Sequence, residues 1–231
     1  MTSIRAVIFD MDGCLVDSEP MSLETLGDMM AAEGLPTTRD ELRQRFLGVS
    51  IQAIVRQIGE ALGRDDLHDF AATFEERLLA RYPSELRLIP GICGLLDDLA
   101  ARDIAVAIAT GSSVRRLGIT LRVAGLADRF GNMTFSADQV NRGKPAPDLF
   151  LLAAERLGVR PNACAVMEDS PHGIAGARAA GMRAVGFTGG SHLHGMQADH
   201  ACRLREAGAA AVLPDLGGMA DALLDRQPTG V

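Results

Sequence analysis

No stretch of this chain strings together the ~18 or more apolar residues that a membrane-spanning helix requires. The apolar run near the start, Ile4–Phe9, is too short for a secretory signal and runs straight into acid. Positive charge is scarce too: 23 Lys and Arg stand against 30 Asp and Glu, a formal net charge of -7. Nucleic-acid binding normally needs a basic footprint to displace counterions, so that class of partner is not expected. An anionic small substrate is still allowed, because a metal ion and one or two placed cations invert the field locally. Cysteine is sparse and dispersed. Cys14, Cys93, Cys164 and Cys202 form no CxxC pair, which gives no support to a zinc site and reads as free thiols packed as small apolar groups in a reducing compartment. Internal repeats and low-complexity tracts are lacking as well. A cytoplasmic protein without membrane or nucleic-acid partners is expected, as a monomer or small homo-oligomer.

What is present is ordinary for a soluble globular chain: 47% hydrophobic and 23% charged residues in a length of 231. That length suits one large α/β domain or a main domain with a smaller insert. Short apolar, β-rich runs at Arg5–Phe9, Ile104–Ala109, Ala163–Met167, Ala184–Phe187 and Ala211–Leu213 read as strands buried on both faces. Helical patterns alternate with them at Gly91–Arg102, Val114–Val123, Pro147–Leu157, Pro171–Ala180 and Leu216–Leu224. Gly158 and Gly181 follow two of these, where a left-handed C-cap favours glycine. The rhythm describes a doubly wound, Rossmann-like parallel sheet.

After the first strand the rhythm breaks for about 70 residues. Ser50 is placed to cap a helix with Ile51, Ile54, Val55, Ile58 and Leu62 on one face; Thr38 and Glu41 have capping-box spacing; Leu67, Phe70, Phe74 and Leu78 form another stripe. The expected organisation is therefore an all-α insert over residues 18–84 in a core made of 1–17 and 85–231. Methionine and aromatic positions in the insert read as core. Gln227–Val231 are expected to fray.

Chemistry concentrates where the predicted strands end. Asp10 and Asp12 follow the first strand, and ligands of open parallel sheets bind at carboxyl strand ends. Two such acids also suit a solvated turn. Thr110-Gly111-Ser112 follows the strand Ile104–Ala109, where a hydroxyl and backbone N–H groups hold either a phosphate or simply a helix start. Lys144 lies between Gly143 and Pro145, in a stiff loop that aims one ammonium or leaves it solvated. Glu168 and Asp169 end the strand Ala163–Met167 and suit a hard cation that prefers oxygen.

In this order the four features resemble the haloacid dehalogenase superfamily, over essentially the whole chain. The motif DxDGxLxDSE is matched from Asp10 to Glu19 with Cys14 at a variable place, and the later motifs fall at Thr110, Lys144 and Glu168–Asp169. An insert after the first motif is similar to the helical C1 cap of the group containing phosphoglycolate phosphatases and β-phosphoglucomutases. The resemblance implies a phosphatase of small phosphate esters. Asp10 would be the nucleophile, forming an aspartyl phosphate. Asp12 would be the acid/base, kept protonated at the start by the like charge beside it. Thr110, Gly111, Ser112 and Lys144 would hold the phosphate. Mg²⁺ would be bound by Asp10, the carbonyl of Asp12, Asp169 and, directly or through water, Glu168.

The resemblance also places Arg45, in the segment Arg45–Ser50, at a substrate-contacting loop of the cap, with hinges near Val16–Ser18 and Pro83–Pro90. Mutases of this kind carry a histidine shortly after the first motif and basic residues in the cap loop, whereas here Ser22, Leu47 and Ile51 stand near those places. A dehalogenase needs neither a proton donor at Asp12 nor a metal. A phospho-aspartate signalling module needs neither an acid/base partner nor a cap. Phe46–Val49, Ser84–Leu86 and the segment with His192 and His194 resemble sugar-phosphate and phosphogluconate phosphatases, so a phosphorylated sugar or sugar acid is expected first and phosphoglycolate second. His172, His192 and His194 read as loop histidines.

Overall fold

The computed structural model describes residues 3–224, so the expectation for Gln227–Val231 lies outside the described residues. The described chain forms two compact units, one of residues 3–17 with 87–224 and the other Ser18–Leu86. In chain order the elements are β1 (Ala6–Phe9), α1 (Glu19–Ala32), α2 (Arg39–Phe46), α3 (Ile51–Leu62), α4 (Phe70–Glu85), α5 (Ile92–Ala101), β2 (Ala105–Thr110), α6 (Val114–Val123), α7 (Ala127–Phe130) and β3 (Thr134–Ser136). They continue with α8 (Asp148–Leu157), β4 (Cys164–Glu168), α9 (Pro171–Ala179), β5 (Arg183–Phe187), α10 (Gln197–Glu206), β6 (Ala211–Leu213) and α11 (Met219–Leu224).

The first unit is an all-parallel six-stranded sheet in the order β3-β2-β1-β4-β5-β6, the doubly wound arrangement. Side-chain alternation explains its two covered faces. Ala6, Ile8, Ala107, Ala109, Cys164, Val166 and Ala184 pack with Leu149 and Phe150 of α8, Ile174 of α9 and Leu204 of α10. The intervening residues, such as Phe9, point the other way, where Phe9 meets Phe130 of α7 edge-on at 6.1 Å. On that second face α5 lies against β2, and α11 against β4 and β5. Every residue of β1 and of β4 is buried, as strands enclosed on both faces must be.

Register sets the site. Phe9 pairs with Ile108 on one side and with Met167 on the other, and the Asp10 N–H donates to the Met167 carbonyl at 3.0 Å. One residue further on, Asp10 is level with Glu168. Chain order reverses about β1, which therefore borders the crevice where ligands of such sheets bind.

The second unit is α1 to α4. Its local signals match its helices: Thr38 and Glu41 make both halves of the capping box, and Ser50 accepts from the Ala53 N–H at 3.4 Å. Met21, Met29 and Met30 of α1 and Phe70, Phe74, Leu78 and Tyr82 of α4 are buried. Arg81 ties those two helices together, donating to Glu24 at 2.9 Å, Thr25 Oγ1 at 3.1 Å and the Met21 carbonyl at 3.1 Å.

β3, α7 and α10 of the first unit escaped the sequence pattern, and α7 is a single turn of four residues. β3 has three residues and one buried hydrophobe, Phe135, which is too short for an alternation to register. The buried face of α10 is His200, Ala201 and Leu204, in which only one large apolar side chain marks the helical period.

Candidate active site

The carboxyl ends of the strands bring together residues far apart in sequence. Asp10, the first residue beyond β1, is buried, and the Lys144 ammonium lies 2.6 Å from its Oδ1. The same ammonium lies 2.5 Å from Oε1 of the fully buried Glu168, whose Oε2 accepts from the Ser170 N–H at 2.9 Å. Burial pushes the Asp10 carboxyl well above its ordinary range. Lys144 opposes that shift, and the Glu168 and Asp169 charges add to it. Glu168 is raised by burial in the same way, against Lys144. Burial works against the Lys144 charge but is outweighed by Asp10 and Glu168, so its ammonium is held protonated.

Asp12 has different neighbours. Its Oδ1 is 2.7 Å from an Arg116 guanidinium nitrogen, and its Oδ2 accepts from the Ser112 hydroxyl at 2.7 Å. Arg116 lies on the first turn of α6, whose N-cap Ser113 accepts from the Arg116 N–H. Both Asp12 oxygens thus have a donor beside them, which fixes the orientation of the side chain. Arg116 sits 104 positions away in sequence and belongs to no motif, so sequence alone does not place it beside Asp12.

The turn after β2 is organised from within. Thr110 Oγ1 accepts from the Ser112 N–H at 3.0 Å, and the Ser112 carbonyl accepts from the buried Ser136 hydroxyl at 2.6 Å. A phosphate oxygen taken up by the Ser112 N–H would replace Thr110 as its acceptor. Ser136, at the end of β3, went unnoticed for the same reason as its strand. Arg45 belongs to the helical unit, where it is exposed in the last turn of α2 with its guanidinium carbon 5.0 Å from the centre of the Phe46 ring.

A haloacid dehalogenase-like hydrolase model matches residues 4–181. The chain belongs to the haloacid dehalogenase-like hydrolase family. Its fold is the family's Rossmann-like α/β fold, and it is an enzyme. A phosphorylated carbohydrates phosphatase of Thermotoga maritima is 36% identical over 183 residues, covering 79% of this chain and 84% of that protein. A fructose-1-phosphate phosphatase of Escherichia coli is 35% identical over 194 residues, covering 78% and 94%. Among solved structures, a hydrolase of this family from Deinococcus radiodurans with bound phosphate and sodium is 32% identical, with a TM-score of 0.76 over 98% of this chain and 100% of that one.

In this member of the family the donor set suits a hard divalent cation. Asp10, Cys14 and Asp169 each offer an atom within 4.8 Å of the others. The Cys14 thiol is raised well above its ordinary range by burial, and further by Asp169, Asp10 and Glu168, so the effective donors are the two carboxylates. Lys144 alone does not balance the buried Asp10, Glu168 and Asp169, and a divalent charge here would relieve the remainder. Gly13 lets Asp169 come this close. It has φ +79°, and a Cβ built on it would fall 2.1 Å from Asp169 Oδ2. Cys14 at the site, Arg116 and His192, which lies 3.1 Å from Asp169, are residues the sequence reading placed elsewhere or passed over. Among the described residues no helix is long and apolar enough to cross a membrane.

Proposed function

We propose that this enzyme is a Mg²⁺-dependent phosphomonoester hydrolase acting on a phosphorylated sugar or sugar acid, with Asp10 as nucleophile. The observation that carries this reading is the convergence of one ammonium, Lys144, on two buried carboxylates from neighbouring strand tips, Asp10 and Glu168. Asp10 attacks phosphorus through a carboxylate oxygen, the phosphorus–ester oxygen bond breaks, and Asp12 delivers a proton to the departing alkoxide. Water then attacks the aspartyl phosphate, giving its proton to Asp12 and releasing inorganic phosphate and the Asp10 carboxylate. The proton gained in the second step is the one required in the first step of the next turnover.

Asp10, Asp169, the Asp12 carbonyl and, directly or through water, Glu168 are the groups that would hold Mg²⁺, which when bound would keep Asp10 ionised and draw charge from the phosphoryl oxygens. Lys144 orients Asp10 and offsets charge on the phosphoryl group, while Thr110, Gly111 and Ser112 cradle its remaining oxygens. The helical unit, Ser18–Leu86, is the cap that reads the organic part of the substrate, with Arg45 on its α2 meeting a substrate carboxylate or hydroxyls. Relatives that act on phosphorylated carbohydrates and fructose 1-phosphate support the sugar class.

The test is inorganic phosphate release across sugar phosphates, sugar-acid phosphates and phosphoglycolate, with Mg²⁺ and with excess chelator. Turnover of sugar or sugar-acid phosphates that vanishes in chelator is expected. Full activity in chelator removes the metal from the reading, and interconversion of sugar phosphates without phosphate release points to a mutase.

A further inference from the structure

A fifth loop reaches the site from the carboxyl end of β5, and no part of the mechanism above uses it. It runs Gly189-Gly190-Ser191-His192-Leu193-His194-Gly195, and His192 within it is not the solvated loop histidine that sequence suggests. Its side chain is 1% exposed, and its Nε2 lies 3.1 Å from Oδ2 of Asp169. His194, two residues on, and His172 are exposed, so burial singles out His192 within its own loop.

The surroundings are built to keep the ring there. Cβ atoms added to Gly13 and Gly190 would fall 2.9 Å and 2.5 Å from His192 Cε1, so both backbones close on the imidazole where a larger residue would expel it. The loop is fastened by the Ser191 N–H, which donates to Asp17 Oδ1 at 3.2 Å, and by the Leu193 N–H, which donates to the Gly190 carbonyl at 3.0 Å. Asp169 is fixed from its other end as well: Nε2 of the buried His200 on α10 lies 2.6 Å from its backbone carbonyl.

We propose that His192 is a positioning residue for Asp169, holding its carboxylate in the orientation that binds the divalent cation. This rests on the metal-dependent reading above and extends it to a residue that touches neither substrate nor cation. The imidazole donates from Nε2 to one carboxylate oxygen, which leaves the other free to turn toward Asp10. Either the neutral ring with its proton on Nε2 or the imidazolium makes the same contact, so the role does not depend on the charge of the ring. Partners of this kind fix ligand geometry, and their loss lowers metal affinity by about 10–100-fold.

Mg²⁺ binding to the whole protein, measured by titration calorimetry, tests the assignment on the wild type, His192→Leu and His192→Gln. Leucine fills the space without a donor, whereas the glutamine amide can present an N–H close to the position of Nε2. His192→Leu is expected to weaken Mg²⁺ binding about tenfold or more, with wild-type kcat recovered at high Mg²⁺, and His192→Gln to bind within about threefold of the wild type. Equal Mg²⁺ affinity in the wild type and His192→Leu overturns the positioning role and leaves the metal-dependent reading standing. A wild type that binds no Mg²⁺ overturns both. If His192→Leu does not fold, His192→Ala, which removes the donor without filling the space, decides: a loss of about tenfold or more upholds the role, and affinity equal to that of the wild type overturns it.

Discussion

Asp10 and Asp12 are two residues apart on one strand tip, yet they stand in two electrostatic regions. On the Lys144 side, Asp10 is buried among Glu168, Asp169 and an ammonium that touches two acids at once, and its carboxyl is pushed up by the desolvation. On the Arg116 side, Asp12 is held by a guanidinium and a hydroxyl, one on each oxygen. The difference comes from the sheet. Asp10 still follows the β1 register and lies level with Glu168 on β4, whereas Asp12 has left the strand and reaches the turn between β2 and α6. One region has a single ammonium among three acids and calls for a further cation. The other supplies its own and fixes the orientation of the Asp12 side chain.

The largest expected effect breaks the comparison at Asp10. Asp10→Asn keeps the shape and removes the nucleophilic charge, and phosphate release is expected to fall by about 10⁴-fold or more. The fold is expected to persist, because the neutral amide lifts a desolvated charge from the buried cluster. Circular dichroism checks the fold, and a variant that retains even a tenth of the wild-type rate would falsify the nucleophile assignment.

Asp12 gives the next effect, and it is selective. In Asp12→Asn the first step with a sugar phosphate is expected to slow by about 10²–10⁴-fold, because an alkoxide leaves poorly without a proton. With p-nitrophenyl phosphate, whose leaving group is stable as an anion, the same step is expected to lose less than about tenfold. Rapid-quench measurement of phosphoenzyme formation separates this step from hydrolysis, and equal losses on the two substrates rule out proton donation by Asp12. Arg116→Ala sharpens the point. If Arg116 aims Asp12, the variant shows the same preference between leaving groups at a smaller loss, about tenfold.

How much of this was legible depended on where each residue's signal resides. Asp10 and Glu168 could be read because the site forms at strand ends, and buried parallel strands are marked by short apolar runs with acids after them; Lys144 follows no strand visible in the sequence and stood out by its place between Gly143 and Pro145. The Gly13 position was legible as motif, and its reason, the approach of Asp169, appears only in three dimensions. Arg116 could not be read, since an arginine on the first turn of an amphipathic helix looks like any solvated one until β2 and β1 set that turn beside Asp12. His192 was hidden by its glycine-rich loop, a composition that normally marks exposure. In the helical unit the reverse holds. Caps and stripes such as Thr38–Glu41 and Phe70–Phe74–Leu78 announce structure clearly, because helix signals are local, but they carry little chemistry.

The smallest effect tests the charge imbalance itself. Asp10 and Glu168 have folded-state values above their unfolded ones, so the cation-free chain takes up protons on folding. The stability tied to that protonation is fully present below the unfolded carboxyl values, about 4, and is lost as pH rises through the folded ones. Lys144 is raised as well, and its contribution persists to strongly alkaline pH, so it does not mask the trend. Mg²⁺ competes with those protons and should stabilise the protein more at pH 8 than at pH 5. At a Mg²⁺ concentration about 100-fold above Kd the gain at pH 8 is about 2.7 kcal/mol, which is roughly 5–10 °C in Tm for a chain of this size. The sequence has no tryptophan and a single tyrosine, so far-UV circular dichroism melts are the suitable readout. Equal Mg²⁺ increments at the two pH values would mean that the cation is not bound at the raised carboxylates, and that the two sides of the β1 tip do not differ in the way their contacts indicate.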